Sequence, residues 1–229
     1  MAEFTTPQFW LAVVAIIFVN ILLSGDNAVV IALACRNLSP RARRQGIFWG
    51  VLGAIVLRIA LTFFVMSLLV DPWLKLVGAV LLAWIGVRLI AEDASSVRPV
   101  TASNRLLAAV ATILVADLVM SLDNVMAVAA AAKGDVWLIV FGLGISIPMV
   151  VVGSQIIMPL LVRFPLLIYA GGGMLGYIGG EMALDDPMIE PWIAANASEL
   201  VPFVPFVGFA AVVAAGVLLV RRRKRAAQH

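Results

Sequence analysis

A short polar motif set inside a membrane-length apolar run occurs twice in this chain, and the duplication restricts the fold more than any other feature. The first copy is Leu22-Leu23-Ser24-Gly25-Asp26-Asn27-Ala28-Val29-Val30, and the second is Met120-Ser121-Leu122-Asp123-Asn124-Val125-Met126. Four polar positions correspond at a constant separation of 97 residues: Asn20 with Asp117, Ser24 with Ser121, Asp26 with Asp123, and Asn27 with Asn124. The chain therefore reads as two copies of one unit.

Runs of about 20 apolar residues cross a hydrocarbon core of about 30 Å. Seven candidates occur, at approximately 9–34, 46–70, 73–91, 106–132, 137–162, 165–184 and 201–220. Only 13% of residues are charged and 63% are hydrophobic, with a mean hydropathy of +1.10, whereas soluble domains carry about a quarter charged residues. An all-α, multi-pass protein of the inner (plasma) membrane is expected. The net charge of +3 carries no nucleic-acid message, since the basic residues cluster between spans, where they report orientation. One cysteine, Cys35, leaves no internal disulfide, and the one histidine is His229, so a site built from imidazole or thiolate is nearly excluded. The first apolar run has no preceding positive charge and no small-residue cleavage site, so a removable signal peptide is not expected.

Each copy holds three spans, an odd number, so the second must be inverted relative to the first, an arrangement that transporters use to build a site near the midplane. The first repeat covers about 9–91, the linker 92–105, the second repeat about 106–184, an outer acidic loop 185–200, an extra helix 201–220 and a basic tail 221–229. Orientation follows from Lys and Arg. With the N-terminus outside, the inner segments hold thirteen of them, at 36, 41, 43, 44, 88, 98, 105, 163 and 221–225, and the outer segments hold Lys75 and Lys133. N-out and C-in is the expected topology.

Arg58, Asp26, Asp117 and Asp123 lie inside spans. At about 2.5–3.5 kcal/mol each they cost on the order of 10 kcal/mol together, so they cannot face lipid. Span midpoints place Asn20, Arg58 and Asp117 near the bilayer centre, with Asp26 displaced inward and Asp123 outward. Asn20, Ser24 and Asn27 share one helix face, as do Asp117, Ser121 and Asn124. Asp26 and Asp123 lie about 100° off those faces, so either the motif helices meet at an angle or they unwind and add backbone carbonyls.

Three carboxylates with amide and hydroxyl oxygens form a hard donor set, suited to Mn, Mg or Ca and poorly suited to Zn or Cu(I). The candidate ligands are Asp26, Asn27, Asp117, Asp123 and Asn124, with Asn20, Ser24, Arg58 and Ser121 lining or assisting. Met120 and Met126 flank the second motif and offer a soft donor that would favour Mn, although methionine in an apolar helix usually only packs. Ser and Asn within spans also serve as interhelical hydrogen-bond glue. Arg58 has two readings: a fixed salt bridge with Asp117, or an internal counter-ion that swings away when a metal binds. Glycines at 172, 176 and 180, and at 46 and 50, have the spacing of close helix contacts.

These residues carry a resemblance. The sequence resembles the TerC family of integral membrane proteins on Leu23-Ser24-Gly25-Asp26-Asn27-Ala28, on Ala116-Asp117 with Ser121-Leu122-Asp123-Asn124, and on Arg58, over roughly residues 8–184. The resemblance implies a metal-ion transporter exporting manganese, with calcium in related members, and kinship with the lysine-exporter superfamily and its inverted three-span repeats. A net negative cavity disfavours tellurite itself as cargo.

The expected function is alternating-access export of Mn(II) or a similar hard divalent ion, the metal being substrate (Mn2+ or Ca2+) and no cofactor being bound permanently. The partners implied are the divalent ion and the lipid bilayer, with no nucleic acid and with oligomeric state left open. A second reading is export of a basic amino acid or other small cation, for which Arg58 is the sole side chain placed to meet a substrate carboxylate. An intramembrane aspartyl protease, in which two acids share a proton, fits less well, because each motif acid carries an adjacent Asn.

Overall fold

A computed structural model describes residues 14, 25–68, 73–91, 102–132 and 136–226, without the side chains at 25, 62–68, 102, 122–147, 149, 194, 224 and 226. All the regular structure it describes is helical. In chain order the helices are α1 (Gly25–Cys35), α2 (Pro40–Leu68), α3 (Leu74–Ala91), α4 (Ala102–Ala132), α5 (Val136–Arg163), α6 (Leu166–Leu184), the short α7 (Glu190–Asn196), a 3-10 segment (Ser198–Phe203) and α8 (Val204–Ala226). Among the described residues, four stretches are long and apolar enough to cross a membrane: Pro40–Leu61, Leu74–Ala91, Ser103–Ser121 and Ser198–Arg223. A multi-pass helical membrane protein follows from their length and composition.

Several helices outrun the apolar runs that announce them. Helix α2 begins at Pro40, six residues before the apolar window, because proline suits the first helical turn and Ser39 precedes it. The Ser39 hydroxyl accepts from the Ala42 backbone N–H at 3.4 Å, so Arg41, Arg43 and Arg44 are helical. Arg43 in turn donates to the Arg36 and Leu38 carbonyls at 3.2 and 3.3 Å, covering the C-terminal end of α1. Helix α4 likewise takes in 102–105 from the expected linker, and α8 continues through the basic residues to Ala226.

The chain divides into two compact units, Met1–Met66 with Leu106–Ile157 and Ser67–Arg105 with Met158–His229. In the first, α2 lies on α4 with glycine at the contact. A Cβ on Gly50 would sit 2.7 Å from Ile113 Cδ1, and one on Gly53 2.7 Å from Leu114 Cδ2. Gly46 lies against Cys35, Leu38 and Leu106. Contact positions rise together along both helices, so α2 and α4 run parallel, and the line of contact continues to Arg58 and Asp117.

In the second unit α3, α6 and α8 pack mutually. A Cβ on Gly86 would lie 2.5 Å from the Gly172 carbonyl oxygen, and one on Gly180 2.8 Å from Pro205 Cα. Gly176 and Gly208 meet backbone to backbone, so the extra helix is built into this unit. Arg223 joins the ends of two helices by donating to the Ala91 carbonyl at 3.1 Å.

Within the acidic loop 185–200, Asp186 is the acid that turns into the protein. Its side chain is fully buried and caps the start of α3. Oδ1 accepts from the Trp73 N–H at 3.4 Å and the Met188 N–H at 3.0 Å, and Oδ2 accepts from the Leu76 N–H at 3.2 Å. Trp73 is held there in a left-handed conformation, φ 78°, which a bulky residue adopts only under external restraint. Asp186→Ala leaves these part-buried donors without their acceptor and is expected to destabilise the protein by about 1–3 kcal/mol. Thermal unfolding in detergent checks this, with Asp186→Asn falling between the two.

Candidate functional site

Within the first unit, Asn27 of α1, Arg58 of α2, and Asp117 and Ser121 of α4 converge. Each is buried: Asn27 and Asp117 are 7% exposed, Arg58 4% and Ser121 0%. Four polar side chains brought together in an apolar interior are expensive unless each finds a partner. Here most of them do.

Asp117 is the centre of the cluster. Arg58 Nη2 lies 2.7 Å from Oδ1 as both ion pair and hydrogen bond. Arg58 Nε donates to Ser121 Oγ at 2.9 Å, and that hydroxyl donates to Asp117 Oδ2 at 3.1 Å. The result is a closed ring in which both carboxylate oxygens and two faces of the guanidinium are used. Ser121 can close it because it lies one helical turn beyond Asp117, on the same face.

Asn27 completes the group from a different helix. Its Nδ2 donates to Asp117 Oδ1 at 3.3 Å, which fixes the amide orientation, since a carboxylate can only accept. Asn27 Oδ1 is then left buried with no hydrogen-bond partner among the described residues. A buried carbonyl oxygen beside two carboxylates is the donor type a hard cation takes. Asp26, half-buried, accepts from the Asn27 backbone N–H at 2.8 Å.

Asn27→Leu separates a structural amide from a binding one. Its side-chain hydrogen bond is long and its oxygen is unsatisfied among the described residues, so the change is expected to move stability by less than about 1 kcal/mol. Cation binding should nonetheless be lost. Unfolding and binding measured on the same preparation check this, and a large loss of stability would make Asn27 a packing residue.

Of the other expected ligands, Asp123 and Asn124 lie on a stretch of α4 that is helical without a break, which removes the unwound alternative for the second motif. Their side chains lie outside those described. Asn20 and Ser24 also lie outside the described residues, and α1 is described from Gly25 onward. Among the described residues, no three His, Cys, Asp or Glu side chains are grouped to hold a metal. What α1, α2 and α4 gather is an acid, an amide, a hydroxyl and an arginine, with Asp26 adjacent in the chain to the amide. Ser154 of α5 is a further buried hydroxyl that sequence reading did not single out. It donates to the Val151 carbonyl at 2.8 Å, one residue from Gly153, whose Cβ would meet Ala28.

Residues 5–227 match the family described as "Integral membrane protein TerC family". Three relatives come from Bacillus subtilis strain 168. The uncharacterized membrane protein YjbE is 40% identical over 191 residues, 83% of this chain and 87% of its own length. Uncharacterized membrane protein YceF is 27% identical, covering 78% of this chain and 73% of its own. Uncharacterized membrane protein YkoY is 26% identical, covering 71% and 56%. No solved structure matches.

Proposed function

This chain belongs to the TerC family of integral membrane proteins, and we propose that it exports a hard divalent cation, Mn(II) ahead of Ca(II) or Mg(II), across the plasma membrane. The observation that carries the reading is the convergence of Asn27, Asp117 and Ser121 around a buried ion pair. Residues 90 positions apart share one polar centre inside helices of membrane character. An expensive intramembrane carboxylate marks a pathway more often than a joint.

In this reading Asp26, Asp117 and Asp123 are the charged ligands and Asn27 and Asn124 the neutral ones, with Asn20, Ser24 and Ser121 lining the path. The spans form two inverted three-helix repeats with an added seventh helix, oriented N-out and C-in, and the site is exposed alternately to each side. No redox or group-transfer step is involved; the protein binds, releases and changes conformation.

Manganese tolerance in a host lacking its own exporter tests the proposal. Asp26→Asn, Asp117→Asn and Asp123→Asn are each expected to abolish it, and Asp26→Asn is the cleanest because Asp26 is not a partner in the Arg58–Asp117 ion pair. Normal tolerance in all three variants would reject the proposal. One observation favours a second reading: Asp117 already holds a guanidinium at 2.7 Å, the contact an exported basic amino acid would make. Flux of labelled arginine or lysine against manganese in proteoliposomes separates the two.

A further inference from the structure

We propose that Arg58 is the carrier's own counter-cation: it takes the place of cargo on Asp117 during the return half of the cycle, so that Asp117 needs no ion carried back. The inference rests on the proposed cation transport and adds to it how the cycle is reset.

Three observations support it. Arg58 does not merely approach Asp117; its Nη2 occupies Oδ1, and through Ser121 its Nε governs Oδ2. Oδ1 already accepts from both Arg58 Nη2 and Asn27 Nδ2, and a divalent ion brought to that oxygen would meet the guanidinium charge at close range, so cargo and Arg58 compete for Asp117. The second observation is Asn27 Oδ1, buried and unpartnered next to that carboxylate. It is an oxygen the guanidinium does not use and a cation would. The third is chemical: a buried ion pair is a poor stabilising device compared with apolar packing, and exchange between two cations gives a reason for placing one here.

The consequence for transport is specific. Returning bare carboxylates through a low-dielectric interior is costly, and a carrier without an internal cation must take some other cation back. Arg58 removes that requirement at Asp117. It also competes with the cargo, so the apparent affinity is set by the fraction of carriers whose Asp117 is released.

Proteoliposomes holding the purified full chain test this, with the potential clamped by potassium and valinomycin and manganese as the probe. For the wild type, net efflux into metal-free medium is expected to run within a few-fold of manganese–manganese exchange. R58Q is expected to bind manganese roughly 10-fold more tightly, since the competitor is gone, to continue exchange, and to lose net efflux. R58K keeps the charge and should keep net efflux. Wild-type flux that occurs only as exchange overturns the inference without any variant, as does net efflux by R58Q at the wild-type rate. Should R58Q fail to fold, the wild-type comparison and R58K decide. A wild type that neither binds nor moves manganese instead defeats the cargo reading, and this inference with it.

Discussion

Asp117→Asn is expected to cost about 3–5 kcal/mol of stability, the usual consequence of leaving one partner of a buried ion pair uncompensated. The cause is Arg58, which is 4% exposed and has its charge matched at 2.7 Å by Asp117. Removing that charge strands a guanidinium in an apolar interior. The double variant Asp117→Asn/Arg58→Gln removes both charges and should recover most of the loss. Unfolding in detergent across the four members of the cycle measures the coupling. An Asp117→Asn variant as stable as the wild type, or a double variant worse than either single, would mean that the pair does not hold α2 to α4.

The second large effect lies in the other unit. Gly176→Leu is expected to prevent α6 and α8 from packing, because a Cβ at Gly176 already collides with the Gly208 backbone carbonyl and approaches Val212 Cγ2 at 2.6 Å. The obstacle is backbone and cannot rotate aside. Even Gly176→Ala should cost about 1–3 kcal/mol through overpacking. Gly153→Ala is the matched control: its Cβ would meet Ala28 Cβ at 3.5 Å, an ordinary contact. Since alanine is the better helix former by about 1 kcal/mol, that variant should be as stable as the wild type or more so. Thermal melts of the three variants in one detergent check the order.

Much of this architecture is written in the chain's local chemistry. Apolar runs mark the helices, and the i, i+4 spacing of Asp117 and Ser121 puts both on one face, where they bond. Glycines at 46, 50, 172, 176 and 180 mark contacts that the helices make. Expense in the membrane singles out Arg58 and Asp117, and those two pair.

What hydropathy leaves out is equally physical. Pro40–Gln45 and the basic stretch after Val220 are helical although polar, because backbone hydrogen bonding continues where apolar burial stops. Asp186 reads as one of several loop acids, and nothing local reveals that it caps a helix whose third residue, Leu76, lies 110 residues earlier. The pairing of Asn27 with Asp117 depends on how α1 meets α4, a tertiary fact that the duplicated motif suggests without fixing. The unsatisfied Asn27 oxygen has no sequence signature at all.

Manganese flux into and out of proteoliposomes carrying purified wild-type protein and Asp26→Asn tests the central claim most directly. Asp26 is half-buried, is the chain neighbour of Asn27 and forms no part of the Arg58–Asp117 pair, so its loss should spare the fold. The account predicts saturable manganese movement by the wild type, inhibited by calcium, and none by a folded Asp26→Asn. Equal flux through both, or a wild type that moves lysine and ignores manganese, would contradict it.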